Sequence, residues 1–205
     1  MKRQNIETII FGFLVSLTLK ASLDTGYGKS MPGADTWLQV WHAVWVLPSF
    51  QVFAFLITLV RFVYGAYRMH EGIEQSPDLE RWVLMWNIPG TLVLFTIFYL
   101  TGLSVLKPEP FYVCLGAVHV WDLLWFIVPA IFSDQLDKEL KNVMRRFLLL
   151  DVITVVALVI MIECTDADLS ASIIGAVIMT VMASLDFWLN RVFYFHPPKA
   201  QSTGG

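Results

Sequence analysis

Residues 111–132 read FYVCLGAVHVWDLLWFIVPAIF, and Asp122 is the only charged side chain in this run. An α-helix rises about 1.5 Å per residue, so the run is long enough to cross a hydrocarbon core of about 30 Å. Similar apolar runs recur along the 205-residue chain, which is 57% hydrophobic and only 15% charged. Soluble domains carry about 25% charged residues. The sequence therefore predicts an all-α integral membrane protein, folded as a bundle of helices with short loops.

Six apolar segments are predicted to cross the membrane. They are Ile6–Leu23, Trp37–Ala66, Trp82–Leu106, Phe111–Phe132, Phe147–Glu163 and Ser170–Asn190. The first segment could instead be a signal peptide, because Lys2 and Arg3 precede it, but residues 20–24 make a poor cleavage site. We expect one transmembrane domain over residues 1–196, followed by a disordered tail over residues 197–205.

The lysines and arginines predict the direction of the spans. With Lys20 set aside, alternation through six spans places eleven basic residues at one set of helix ends and only Lys29 and Lys107 at the other. Basic residues concentrate on the cytoplasmic side of membrane proteins. Both termini are therefore predicted to face the cytoplasm, with the chain integral to the plasma (inner) membrane.

Several classes of function are disfavoured by composition and motifs. The net charge is −3, and no basic patch interleaved with aromatic residues is present, which argues against a nucleic-acid partner. The HExxH, GxSxG and CxxC motifs are missing, and the intramembrane carboxylates stand one per helix. The sequence thus predicts no metal site and no cofactor, and it gives little support to an enzyme.

Residues 134–147, DQLDKELKNVMRRF, have an apolar face and a basic face at helical spacing. This pattern predicts a short helix lying on the cytoplasmic leaflet, with its basic face near anionic headgroups. The basic residues are Lys138, Lys141, Arg145 and Arg146. A helical extension of the fifth span into water is the alternative.

Four polar residues lie at matching depth toward the cytoplasmic ends of four spans: Arg61, Asn87, Asp151 and Asp186. Asn190 follows Asp186 by one helical turn. One interpretation is a buried network of ion pairs and hydrogen bonds that stabilises the bundle, since charges within a membrane tend to pair. A second is a cytoplasm-facing vestibule that attracts a cation or a proton. The third is that these side chains reach the interface without pairing.

Asp122 is predicted to lie near the middle of the fourth span, at the depth where a charge is most costly. His119 precedes it by three residues, so the two side chains share one helix face. The pair is a candidate proton relay or cation site. The alternative is a structural hydrogen bond between a protonated Asp122 and a neighbouring helix.

Cys114 and Cys164 both fall near outer ends of predicted spans, so a disulfide between them is one possibility and two buried thiols are the other.

For the whole chain, the leading hypothesis is a small transporter or channel-like protein for an ion, a proton or a small solute, working as an oligomer. An assembly or signalling subunit without turnover is the second hypothesis. A membrane-embedded enzyme that modifies a lipid is the third.

Overall fold

The computed structural model describes residues 12, 15–21, 24–25, 47–73, 77–131 and 138–195. All regular structure in these residues is helical, which confirms the predicted all-α class. The helices are α1 (Leu47–Ile73), α2 (Pro77–Leu103), α3 (Pro108–Ile131), α4 (Lys138–Cys164), α5 (Asp168–Leu189) and the short α6 (Arg191–Phe195).

Within the described residues, three helices are long and apolar enough to cross a membrane. Their apolar windows are Ser49–Ala66 in α1, Lys141–Cys164 in α4 and Asp168–Leu189 in α5, and α2 contains a shorter apolar stretch. Large apolar side chains also cover the outer surface of the bundle, including Leu149, Val156, Ile160, Val177 and Val181. Soluble monomers rarely expose so much contiguous apolar surface. A membrane location is compatible with these features.

The long helices form a ring in chain order. Each helix from α1 to α5 packs against the next one, and α5 returns to pack against α1 and closes the ring. Inside the ring, α3 also contacts α5 and α1. Apolar side chains from the five helices fill the interior on one side of the buried polar residues, among them Phe55, Phe98, Leu115, Leu158 and Met179.

Two glycines allow helices to approach closely. The Tyr112 ring of α3 lies directly against Gly175 of α5, and Tyr112 donates a hydrogen bond to the carbonyl of Ser172 at 2.9 Å. The Trp125 ring lies against Gly90 of α2 in the same way. A Cβ atom at either glycine would overlap the aromatic ring, so these two contacts require glycine.

The prediction of a separate interfacial helix is wrong. The segment that was expected to lie on the cytoplasmic leaflet is the first part of α4, which runs without interruption from Lys138 to Cys164. The alternative, a helical extension of the fifth span, is what the structure shows. The reason is that nothing between Lys138 and Phe147 breaks a helix: no proline or glycine occurs there.

Parts of the predicted organisation lie outside the described residues. Most of the first predicted span, Ile6–Leu23, is among them, although residues 15–21 are helical and Val15 packs against the core. The predicted tail, residues 197–205, is also outside. The other five predicted spans each correspond to one of the helices α1 to α5, with ends that differ by up to ten residues.

Candidate functional site

Arg61 lies at the centre of a buried polar cluster between α1, α3, α4 and α5. Its side chain is 3% exposed, and its Nε donates to Asp186 Oδ2 at 2.7 Å while Nη2 lies 2.9 Å from Asp151 Oδ1. Both carboxylates are fully buried. A buried ion pair is stable only when its charges stay paired and hydrogen-bonded. Arg61 thus ties α1 to both α4 and α5.

His119 of α3 contacts Arg61 and Asp151 through the same ring nitrogen. Its Nδ1 lies 2.8 Å from Asp151 Oδ1 and 3.2 Å from Arg61 Nη1. Arginine can only donate and an ionised carboxylate can only accept, so Nδ1 satisfies one partner or the other according to where the ring proton sits. The other ring nitrogen, Nε2, is buried and has no hydrogen-bond partner among the described residues. His119 therefore has two competing tautomers in one position.

Asp122 joins the cluster through Asp151. Its side chain is half-buried, whereas Asp151 is fully buried, and the two carboxyl groups are close enough to interact electrostatically. Two carboxyl groups can share a hydrogen bond only when one of them carries a proton. No N–H or hydroxyl group in the described part of the chain reaches Asp151 Oδ2. That oxygen is thus a buried acceptor without a donor among the described residues.

Asp186 is held more completely than the other carboxylates. Besides Arg61, it accepts a hydrogen bond from Asn190 Nδ2 at 2.7 Å on Oδ1 and from the Tyr194 hydroxyl at 2.8 Å on Oδ2. Burial, and then the nearby Asp186 carboxylate, raise the pKa of Tyr194 above its usual value, so its hydroxyl remains protonated and donates. Three donors therefore hold the Asp186 carboxyl group in place.

The short helix α6 covers the end of the cluster that faces the start of α4 and the end of α5. Arg68 donates to the Phe193 carbonyl through Nε at 2.9 Å and Nη2 at 2.7 Å, and the Tyr64 hydroxyl donates to the Tyr194 carbonyl at 3.0 Å. The rings of Tyr64 and Tyr194 stack with their centroids 5.4 Å apart. These contacts hold the Tyr194 hydroxyl within hydrogen-bonding distance of Asp186.

The structure brings together residues that were predicted from the sequence to lie at two different depths in the membrane. Arg61, Asp151, Asp186 and Asn190 were expected near the cytoplasmic side, and Asp122 and His119 alone at the midplane, but all six belong to one cluster. The error came from the start of α4. Because α4 begins at Lys138 rather than at Phe147, Asp151 lies near the middle of its helix, level with His119.

The other residues predicted for the site either lie outside this cluster or have side chains that are not among those described. Asn87 is in α2, but its side chain is not among those described. Lys20, in the first predicted span, forms an exposed ion pair with Asp24 at 2.5 Å. Cys114 and Cys164 are both free thiols. They lie at different depths, since Cys164 ends α4 while Cys114 lies more than a turn inside α3, and a disulfide needs Cα atoms within about 7 Å.

Three residues of the site were missed in the sequence: Tyr64, Arg68 and Tyr194. A signal for two of them was available, because Arg61, Tyr64 and Arg68 are spaced by three and four residues and therefore share one helix face. Nothing in the sequence indicated Tyr194, which follows the last predicted span. Within the described residues, no group of three or more His, Cys, Asp or Glu side chains could hold a metal ion.

Comparison with known proteins gives no relative from which a function could be transferred: no family model matches the chain, and no curated protein and no solved structure matches it either. The function must therefore be argued from the cluster itself.

Proposed function

We propose that this chain is a six-span protein of the inner membrane, with both termini in the cytoplasm, that moves protons across the bilayer. The observation that carries the proposal is the composition of the buried cluster. Three carboxyl groups, from Asp122, Asp151 and Asp186, lie around the permanent cation of Arg61. The neighbouring carboxyl groups of Asp122 and Asp151 can share a proton, and His119 beside them can take another.

The burial of the cluster favours a proton over a larger solute. Asp151, Asp186 and His119 are fully buried, and Asp122 is the partly exposed carboxyl group of the three. A proton can pass between groups that are already hydrogen-bonded, whereas a solute needs an open cavity lined by its ligands. The proposed entry point is therefore Asp122, followed by Asp151 and then His119.

The proposed transfer couples protonation to the contacts of Arg61. When the proton of Asp122 moves to Asp151, the charge on Asp151 that Arg61 and His119 share disappears. When the ring proton of His119 already resides on Nε2, Arg61 Nη1 donates to Nδ1. The proton on Asp151 can then pass to Nδ1, which gives an imidazolium and returns Asp151 to its ionised form. Asp186 keeps its three donors throughout and holds Arg61 in place. The two states differ in hydrogen bonds, not in packing.

A second candidate is an assembly or signalling subunit without turnover. The close pairing of Arg61 with Asp186 favours it, because a network of this kind also serves to hold helices together. A lipid-modifying enzyme is disfavoured, since Arg61 bridges Asp151 and Asp186 directly, so these two carboxylates are engaged by an arginine rather than by a metal ion or a substrate.

Proton flux into proteoliposomes tests the proposal. Wild-type protein is reconstituted with a pH-sensitive dye inside, and a potassium diffusion potential drives uptake. We expect Asp122→Asn to lower the rate at least tenfold while the helical content by circular dichroism is unchanged, because an amide cannot deliver the proton to Asp151. The control is Asp166→Asn, an exposed carboxylate between α4 and α5, which keeps the wild-type rate. Wild-type flux no higher than in empty liposomes would exclude proton transport and favour the assembly subunit.

A further inference from the structure

The faces of α4 and α5 that point away from the bundle are continuous apolar stripes. On α4 the stripe includes Leu149, which is 60% exposed, and continues through Val152 and Val156. On α5 it runs through Val181 to Trp188, which is 63% exposed. The residues recur every three or four positions, so each stripe is one face of its helix. Since α4 and α5 pack side by side, the two stripes are neighbours.

Both stripes change from apolar to basic at the same level. Arg145 is exposed and lies one turn before Leu149, and Arg191 is exposed and follows Trp188 by three residues. The two helices are joined at this level, because Arg146 Nη1 donates to the Leu189 carbonyl at 2.6 Å. Arg145 and Arg191 thus both lie within two residues of the hydrogen bond that joins the ends of α4 and α5. Among the described residues, no carboxylate forms an ion pair with either of them.

We propose that this region, defined by Arg145, Trp188 and Arg191, binds the headgroup phosphate of an anionic glycerophospholipid in the inner leaflet. Guanidinium groups bind phosphate oxygens through paired N–H donors, and they carry their charge at every physiological pH. The acyl chains of such a lipid would lie on the stripes below, and an exposed indole at headgroup level is typical of membrane interfaces. The charge fits an anionic headgroup better than a zwitterionic one.

This inference is independent of the proposed proton transport, because none of its residues belongs to the buried cluster. It also differs from the sequence-based expectation of headgroups along a surface helix. With α4 continuous from Lys138, the arginine that stands above the lipid-facing stripe is Arg145. Arg146 is instead engaged with the end of α5.

Thermal unfolding in detergent with added lipid tests the site. We expect phosphatidylglycerol to raise the midpoint temperature of unfolding of the wild-type protein by several degrees, and phosphatidylcholine to raise it much less. The double variant Arg145→Gln/Arg191→Gln is expected to lose at least half of the phosphatidylglycerol shift. Lys107→Gln, which removes an exposed charge at the opposite end of the bundle, keeps the full shift. If the double variant does not fold, each single variant is measured, and each is expected to lose part of the shift.

Four outcomes would overturn the proposal. Equal stabilisation by phosphatidylcholine would show that the headgroup charge is not recognised. Equal stabilisation by inorganic phosphate would show that a free anion, not a lipid, occupies the region. A full shift in the double variant would place the lipid elsewhere. A concentration-dependent dimer without any lipid effect would show that a second copy of the chain covers these faces.

Discussion

Arg61 meets three partners on three different helices with three different nitrogen atoms. Nε contacts Asp186 of α5, Nη2 contacts Asp151 of α4, and Nη1 contacts His119 of α3. Only the planar guanidinium presents donors in these fixed directions, so lysine is not an equivalent replacement. At the scale of a single residue, Arg61 therefore determines how α1 is oriented against the rest of the ring.

Removal of Arg61 is expected to be strongly destabilising because it leaves two buried carboxylates without their counter-charge. We predict that Arg61→Gln lowers the free energy of unfolding by about 3–5 kcal/mol. The double variant Arg61→Gln/Asp186→Asn is expected to recover part of this loss, since it removes one of the unpaired charges. Denaturation by dodecyl sulfate, followed by circular dichroism, measures both. A loss below about 1 kcal/mol for Arg61→Gln would contradict the buried ion pairs.

Two glycines provide a matched pair for the packing of α3. Gly175→Ala places a methyl group where the Tyr112 ring lies, so we predict a loss of about 1–3 kcal/mol through overpacking. Gly116→Ala is the control. Its Cβ would meet only Leu158 Cδ1, at 3.9 Å, and alanine is favoured over glycine within a helix. The same unfolding assay should show Gly116→Ala at or above wild-type stability. Equal losses in both variants would contradict the close contact of Tyr112 with Gly175.

At the scale of elements, α6 is a five-residue helix that contacts the buried cluster through Tyr194. A helix this short is not stable alone, so its position depends on contacts with α1 and α5. The Tyr194 hydroxyl bonds a buried carboxylate, whereas the Tyr64 hydroxyl bonds a carbonyl at a partly buried position. Hydrogen bonds to charged groups contribute more than those between neutral groups.

We therefore predict that Tyr194→Phe costs about 1.5–3 kcal/mol and Tyr64→Phe about 0.5–1.5 kcal/mol, although both keep the ring. Because the pKa of Tyr194 is raised in the folded protein, the contribution of its hydroxyl to the free energy of unfolding depends on pH in a defined direction. The contribution is fully present below pH about 10, where tyrosine in the unfolded chain is protonated, and it decreases as the pH rises further. Unfolding at pH 7 and pH 11 measures both effects. A larger cost for Tyr64→Phe than for Tyr194→Phe would contradict the proposed role of α6.

The sequence predicted the existence of the long helices but not their ends. Long apolar runs identify α1 to α5, because helix is the structure that satisfies every backbone group within lipid. The charged residues before Phe147 were not recognised as part of α4, because the composition changes from charged to apolar at Phe147. The helix nevertheless begins earlier, at Lys138. The assigned depth of Asp151 followed from that boundary, so an error of nine residues separated it from His119.

At the scale of the whole molecule, the candidate site depends on the order and rotation of helices around the ring. The sequence indicated Arg61, His119, Asp122, Asp151 and Asp186 because polar residues within apolar runs are costly. It contained no information on which of them face each other. That arrangement follows from α5 closing the ring against α1, which brings together residues 125 positions apart, Arg61 and Asp186.

The proposed topology makes a prediction about opposite ends of α4. Cys164 is exposed at one end, and Arg145 is exposed near the other, on a helix about 40 Å long. With Cys114 replaced by Ala, we predict that a membrane-impermeant maleimide added to intact cells labels Cys164. A chain without native cysteines that carries Arg145→Cys should be labelled only after the cells are permeabilised. The reverse pattern would invert the topology, and labelling of both positions in intact cells would show that α4 does not cross the membrane.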